Sequence, residues 1–190
     1  MGPVERVVRP LRAAYADPPC LGLAKKFCCA MHPDAAKYDK PETHQRLIEQ
    51  FCYEYGCWAM SLHTPALKYI FPMCPDDVHE MARTKPFASC KPGVGVAYTW
   101  EAVIVRGRKR GTREQQTVRH YCSVLITLKR GFTGAKPAGF CFWMFEVLNL
   151  EPTDLFHDVF PGSGAVTAAW NALKLRNEPL QHGLFQRPNV

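Results

Sequence analysis

The sequence predicts an α/β fold with a mostly parallel sheet, in one unit spanning residues 1–190. Three observations predict it. Short strand-like runs alternate with segments of helical periodicity, the pattern of strands crossed over by helices. One such run ends abruptly in an acid and two prolines, "AAYADPPCLG". Another leads into a glycine-containing turn and then a helix, "HDVFPGSGAV".

Each element can be justified in chain order. Leu11 to Ala16 reads as a short buried strand. It must stop at Asp17, because Pro18 and Pro19 lack the N–H that a ladder needs. Glu42 to Tyr55 places Leu47, Ile48, Phe51, Cys52 and Tyr55 on one helical face, with Pro41 and Glu42 suited to the first turn. Cys57 to Leu62 is a second apolar strand, and Thr64 to Ile70 is a short helix. Tyr98 to Val105 has the Val, Ile and aromatic content of a strand, and Thr84 to Ser89 is a further candidate. Pro137 to Leu150 is an apolar helix buried on more than one side. Leu155 to Val159 is the last strand. Val166, Ala169, Trp170 and Leu173 mark one face of the last helix.

Composition bounds the function. The 190 residues are 47% hydrophobic and 22% charged, which is ordinary for a globular domain. No basic start is followed by a long apolar core, so no signal peptide is expected. The longest apolar run, Phe140 to Leu148, is broken by Glu146 and is too short to span a bilayer. Nine cysteines, with Cys28 and Cys29 adjacent, make a poor disulfide framework, and a reducing cytoplasm is expected. The net charge of +7 suits a polyanionic partner. It is concentrated in a basic insert over residues 106–136, where Arg106, Arg108, Lys109, Arg110, Arg113, Lys129 and Arg130 are accompanied by a single acid, Glu114. The insert reads either as a solvated loop or as a phosphate-contacting segment, and the flanking motifs favour phosphate.

The two quoted stretches carry the chemistry. Asp158, Phe160, Gly162, Ser163 and Gly164 stand between a strand and a helix. Glycines there allow close backbone approach, and the helix N-terminus offers unpaired N–H groups. In open α/β sheets, ligands bind outside the carboxyl ends of strands. A tight turn alone would explain a lone G-x-G; the acid at the strand end and the strand–loop–helix setting point further. Asp17 likewise reads as an ordinary Asp-Pro turn when taken alone.

"GAKPAGFCFWMFEVLNLEPTDLFHDVFPGSGAVTAAW" resembles the segment of amino-methylating DNA methyltransferases that joins a Lys-Pro motif, a helix and the S-adenosylmethionine loop. "ADPPC" resembles their catalytic motif of Asp, Asn or Ser, then Pro-Pro, then an aromatic, and "WEAVIVRG" resembles a late strand of the core. The catalytic motif precedes the cofactor loop, as in the circularly permuted, beta-class-like enzymes. The chain resembles especially the small phage-encoded and actinobacterial methyltransferase-like proteins. The resemblance is strong over residues 13–22 and 134–173.

It implies a permuted Rossmann-like methyltransferase fold, S-adenosylmethionine as cofactor, DNA as substrate, and transfer to adenine N6 or cytosine N4. For a phage protein it implies a bacterial host cytoplasm. Asp17 and Pro18 would hold the amine, the first by its carboxylate and the second by its carbonyl. Pro19 and Cys20 complete that motif. Asp158, Phe160, Gly162, Ser163 and Gly164 would line the methionine side of the cofactor, with Lys136 and Pro137 beside it.

Two departures stand out. The family's aromatic after Pro-Pro stacks on the extruded base, and here Cys20 takes its place; Tyr15, Phe27 or Tyr38 could compensate. The family's strand with a ribose-binding acid after the cofactor loop has only Glu178 to match it, in a stretch that makes a poor strand. Two readings stay open: the strands after the loop are absent, or a second subunit completes the adenosine side.

Three alternatives remain open on sequence. One is an inert DNA-binding descendant. Another is a pyrimidine C5 methyltransferase with Cys20 as nucleophile, although no partner glutamate motif is visible. The third is a free-nucleotide or protein amine as acceptor. A zinc site from Cys28, Cys29 and His32 with His44 or Cys52 has no C-x-x-C support, so no metal is expected. His157 is expected to pack in the core. Met31 to His44 reads either as a polar loop over the pocket or as a surface connection.

Overall fold

The computed structural model describes residues 10–27, 34–85, 95–107, 118–124 and 135–175, with the side chains of Lys26 and Phe27 excluded. Six strands form one sheet: β1 (Arg12–Ala16), β2 (Cys57–Leu62), β3 (His79–Thr84), β4 (Trp100–Arg106), β5 (Tyr121–Ser123) and β6 (Leu155–Asp158). Their spatial order is β5-β3-β4-β2-β1-β6. β1 pairs in parallel with β2 and β6, and β3 in parallel with β5. Only β4 runs against its neighbours. This mixed α/β, mostly parallel sheet agrees with the expected fold class.

Helices cover both faces, which is why the central strands are apolar throughout. All six residues of β2 are buried. Ala13 and Tyr15 of β1, Cys57 and Ala59 of β2, and Val103 and Val105 of β4 face α4 (Ala138–Val147) and α5 (Ala165–Leu175). Phe145, Phe156 and Trp170 meet there ring to ring at 5.1–5.3 Å. The alternate residues Ala14, Ala16, Trp58, Met60, Ala102 and Ile104 face α2 (Pro41–Glu54), through Leu47, Ile48 and Phe51, and α3 (Leu67–Ile70), through Ile70. A one-residue shift of register would exchange the two sets, so the pleat fixes which side chains meet which helix.

Most expected elements fall within two residues of their observed ends. Thr84 to Ser89 does not: the strand is His79–Thr84, ending where the expected one began, and residues 86–94 lie outside the described set. Its polar sequence, HEMART, hides a strand that sits near the sheet margin. Tyr121–Ser123 inside the basic insert was not anticipated, and neither was α1 (Ala24–Phe27) after the Pro-Pro turn. His157 is exposed rather than in the core, because β6 is one of the two outermost described strands; its Nδ1 lies 2.6 Å from the Tyr55 hydroxyl. No described helix is long and apolar enough to cross a membrane.

Candidate active site

The strand register decides which loops meet. Tyr15 of β1 lies opposite Asp158 of β6, and the Val159 amide donates to the Tyr15 carbonyl at 2.9 Å. The two strands are parallel neighbours, so the chain leaves both at the same carboxyl edge. Asp17 and Asp158 therefore come together from opposite ends of the sequence. Pro18 is buried and Asp17 half-buried, so the bend is held while its carboxylate reaches the edge. The Cys20 carbonyl accepts from the Leu23 amide at 3.0 Å, closing the turn, and Cys20 is half-buried and in no disulfide.

On the β6 side, Asp158 Oδ2 accepts from the Thr167 hydroxyl at 2.8 Å, which ties the strand end to the first turn of α5. Asp158 Oδ1 is buried with no hydrogen-bond partner. Burial, and to a lesser degree the charge of Asp17, hold this carboxyl above the usual range. An acid in that condition lacks a donor. The turn that follows has Gly162 at φ 48° and Gly164 at φ 73°, a backbone that side chains resist. Space around Gly164 is open, and the first amides of α5 begin directly after it.

Lys136, one residue before the N-cap of α4, is buried at the same edge. Its Nζ is 3.0 Å from Asp17 Oδ2 and 3.5 Å from Glu101 Oε2. Glu101 also binds Arg83 Nη1 at 2.9 Å and Lys85 Nζ at 2.5 Å. The Phe140 ring lies under both cations, 5.7 Å from Lys136 and 5.3 Å from the Arg83 guanidinium. Burial alone would push the Lys136 ammonium towards neutrality, but the carboxylates of Asp17 and Glu101 outweigh it and raise its pKa. Glu101 shows the same contest: burial opposes ionisation, yet Lys136, Arg83 and Lys85 pull its carboxyl down to about 2. Beneath them Tyr15 is buried, with its hydroxyl 2.7 Å from Ser61 Oγ.

Asp17 and Lys136 stand out in the sequence by their motifs, whereas Glu101, Arg83 and Lys85 do not. A signal was there. Glu101, Val103 and Val105 share one strand face, and a lone acid on an otherwise apolar face needs a buried cationic partner. Two of the aromatics considered for base stacking lie among the described residues. Tyr15 is sealed in the core, so it cannot serve; Tyr38 is half-buried against Phe160, with ring centroids 5.3 Å apart. The side chain of Phe27 lies outside the described residues.

Arg106 stands apart from Asp17 in the sheet. It ends the antiparallel strand, opposite Trp58, and so lies at the edge away from Asp17. Its Nε donates to Asp77 Oδ1 at 2.7 Å. Arg108, Lys109, Arg110, Arg113, Lys129, Arg130, Glu178, Cys28, Cys29 and His32 lie outside the described residues. No group of three metal-ligating side chains occurs among the described ones. An open concavity of about 550 Å³ between Ile48, Cys52, Met73 and Cys74 is on the α2 side and includes none of the site residues.

No protein-family model and no curated protein sequence matches the chain. Solved structures do. The crystal structure of the M1.HpyAVI–SAM complex superposes with a TM-score of 0.56 at 15% identity, covering 87% of this chain and 79% of that one. The structure of M1.HpyAVI alone gives 0.54 at 13% identity, covering 87% and 77%. At such identity the likeness is one of architecture, and the architecture is the Rossmann-like methyltransferase fold.

Proposed function

We propose that this chain transfers a methyl group from S-adenosylmethionine to an exocyclic amine of DNA, adenine N6 or cytosine N4. The observation that carries the reading is the meeting of Asp17-Pro18 and Asp158-Phe160-Gly162-Ser163-Gly164 on adjacent parallel strands. The fold likeness to a structure solved with SAM supports it.

The cofactor half suits the group. Asp158 Oδ1 is a buried acceptor without a donor, and the amino group of a methionine moiety is a donor. Gly162, Ser163 and Gly164 would let backbone amides approach its carboxylate, beside Lys136 and Pro137. When bound, the cofactor supplies an electrophilic methyl on a sulfonium. The protein's own part is positioning. Asp17 accepts an N–H of the target amine, and the Pro18 carbonyl accepts the other in a direction set by its locked φ. Lys136 aims the Asp17 carboxylate through the 3.0 Å ion pair to its Oδ2. Pro19 holds the turn, and Cys20 fills space beside it. The adenosine side lies beyond β6, where Leu155 is exposed. A second copy docked on that edge would complete it, and sedimentation with and without S-adenosylmethionine tests this.

Gly162→Val is the test of the cofactor loop. A β-branched residue at φ 48° strains the turn and fills the approach. Calorimetric titration with S-adenosylmethionine is expected to show binding by the wild type and none by the variant, with the circular dichroism unchanged. Equal binding by both would make the loop merely structural.

DNA contact rests on Arg108, Lys109, Arg110, Arg113, Lys129 and Arg130, since Arg106 is engaged by Asp77. Affinity for duplex is expected to fall with salt at a log–log slope of about −0.9 per phosphate contact. Replacing Arg108, Lys109 and Arg110 by Ala should flatten that slope by about 3. A slope left unchanged by the triple replacement removes this segment from the interface.

A further inference from the structure

The two halves of the proposed site are joined by sheet hydrogen bonds only as far as Val159. Beyond the strand ends, each turn needs some other constraint. Two consecutive residues provide one. Asp39 accepts from the Ala24 amide through Oδ1 at 2.8 Å and from the Lys25 amide through Oδ2 at 2.9 Å. Those amides open α1, separated from the Pro18-Pro19-Cys20 stretch by Leu21, Gly22 and Leu23 and just beyond the turn that the Leu23 amide closes on the Cys20 carbonyl. Tyr38 places its ring edge-to-face on Phe160 of the cofactor loop, centroids 5.3 Å apart. Leu21, Tyr38, Val159 and Phe160 all pack on the core cluster beneath α2.

Tyr38 is itself held from behind. His44 of α2 is buried, and its Nε2 lies 3.0 Å from the Tyr38 carbonyl. Since a carbonyl only accepts, Nε2 is the protonated nitrogen, and Nδ1 is left buried without a partner. The His44 ring also meets the Tyr38 ring at 5.4 Å. Burial holds the imidazole below its usual pKa, in keeping with one neutral tautomer. Consecutive Cα atoms stand about 3.8 Å apart across a trans peptide, so Tyr38 and Asp39 cannot shift independently.

We propose that Tyr38 and Asp39 form a strap that couples the order of the cofactor loop to the geometry of the catalytic turn. They are positioning residues: Tyr38 grips the loop through Phe160, and Asp39 grips the turn through the first amides of α1. The assignment of the two turns rests on the proposed function, whereas the mechanical link does not.

The link can be tested without cofactor, by amide hydrogen exchange on the whole chain. Phe160→Ala removes the ring that Tyr38 grips and leaves Tyr38 and Asp39 themselves unchanged. It is expected to speed exchange at Ala24 and Lys25 about tenfold, while Ala59 in central β2 is unchanged. Tyr38→Ala should do the same, and Tyr38→Phe, which keeps the ring, should restore wild-type protection. Unchanged Ala24 and Lys25 in Phe160→Ala would overturn the strap, and so would an equal rise at Ala59, which marks general loosening. A second arm titrates S-adenosylmethionine into Asp39→Asn, which leaves the loop untouched; the expected loss of affinity is about fivefold. Undiminished affinity there counts against coupling. If the wild type binds no S-adenosylmethionine, the functional reading falls, and the exchange arm still decides the strap.

Discussion

Asp17→Ala is expected to lower methyl transfer by at least about a thousandfold while leaving S-adenosylmethionine affinity within a few-fold of wild type. The split follows from geometry. Asp17 sits at the end of β1, and the proposed cofactor contacts sit at the end of β6 and the start of α5. Its removal deletes an interaction made with the reacting amine, which is a loss in the transition state rather than in cofactor binding. Lys136 complicates the variant, because it loses its nearer carboxylate and keeps Glu101 at 3.5 Å. Asp17→Asn separates the two effects. It preserves the shape and one acceptor, and removes the charge that Lys136 faces. Partial activity in Asn with none in Ala would assign the loss to amine holding. Equal loss in both, with unfolding, would assign it to the ion cluster.

Cys20→Ser gives the complementary result. A hydroxyl of similar size should retain most activity, because nothing in amine transfer needs a thiol. The C5 alternative requires the opposite, since covalent attack on a pyrimidine needs a thiolate. Tritiated methyl incorporation into mixed-sequence DNA, followed by nucleoside analysis, distinguishes them. An inactive Cys20→Ser with 5-methylcytosine in the wild-type digest overturns the amine assignment. No incorporation by folded wild type on any DNA, with DNA still bound, leaves the inert binder.

What the sequence disclosed depended on whether the signal was local. α2 and β2 could be read directly, because periodicity and capping lie within a dozen residues. The turns at Asp17 and Gly162 were legible for the same reason: proline and glycine announce backbone constraints without reference to partners. Strand β3 was misplaced because HEMART has little of the β-branched or aromatic content that marks a strand, and its pairing with β4 and β5 supplies what its composition lacks. Strand β5 is three residues long, too short for any period to show. The ion cluster was hidden by distance along the chain. Lys136, Asp17, Glu101 and Arg83 come from four separate elements, and only the sheet order places them on one edge. The place of Arg106 was hidden in the same way. Its charge was evident, but the direction of its strand, which takes it away from the site, belongs to topology.

Glu101→Gln should expose how much the cluster contributes to the fold. Glu101 is about four-fifths buried and contacts Arg83, Lys85 and Lys136, so neutralising it leaves Arg83 buried without its carboxylate. Its folded pKa of about 2 lies below the ordinary 4.5. A depressed acid stabilises the fold above its unfolded pKa and ceases to do so as pH falls through the folded one. The contribution is therefore present in full at pH 7 and is lost between about 4.5 and 2. Its size is of the order of 3 kcal/mol, the same range as breaking one buried pair. Urea unfolding at neutral pH should show the variant less stable by about that amount. The two proteins should converge as the pH drops towards 3, because the wild type loses what the variant never had. Parallel stability curves from pH 7 to pH 3 would mean that Glu101 titrates alike in the folded and unfolded chains. In that case Lys136 would be held by Asp17 alone.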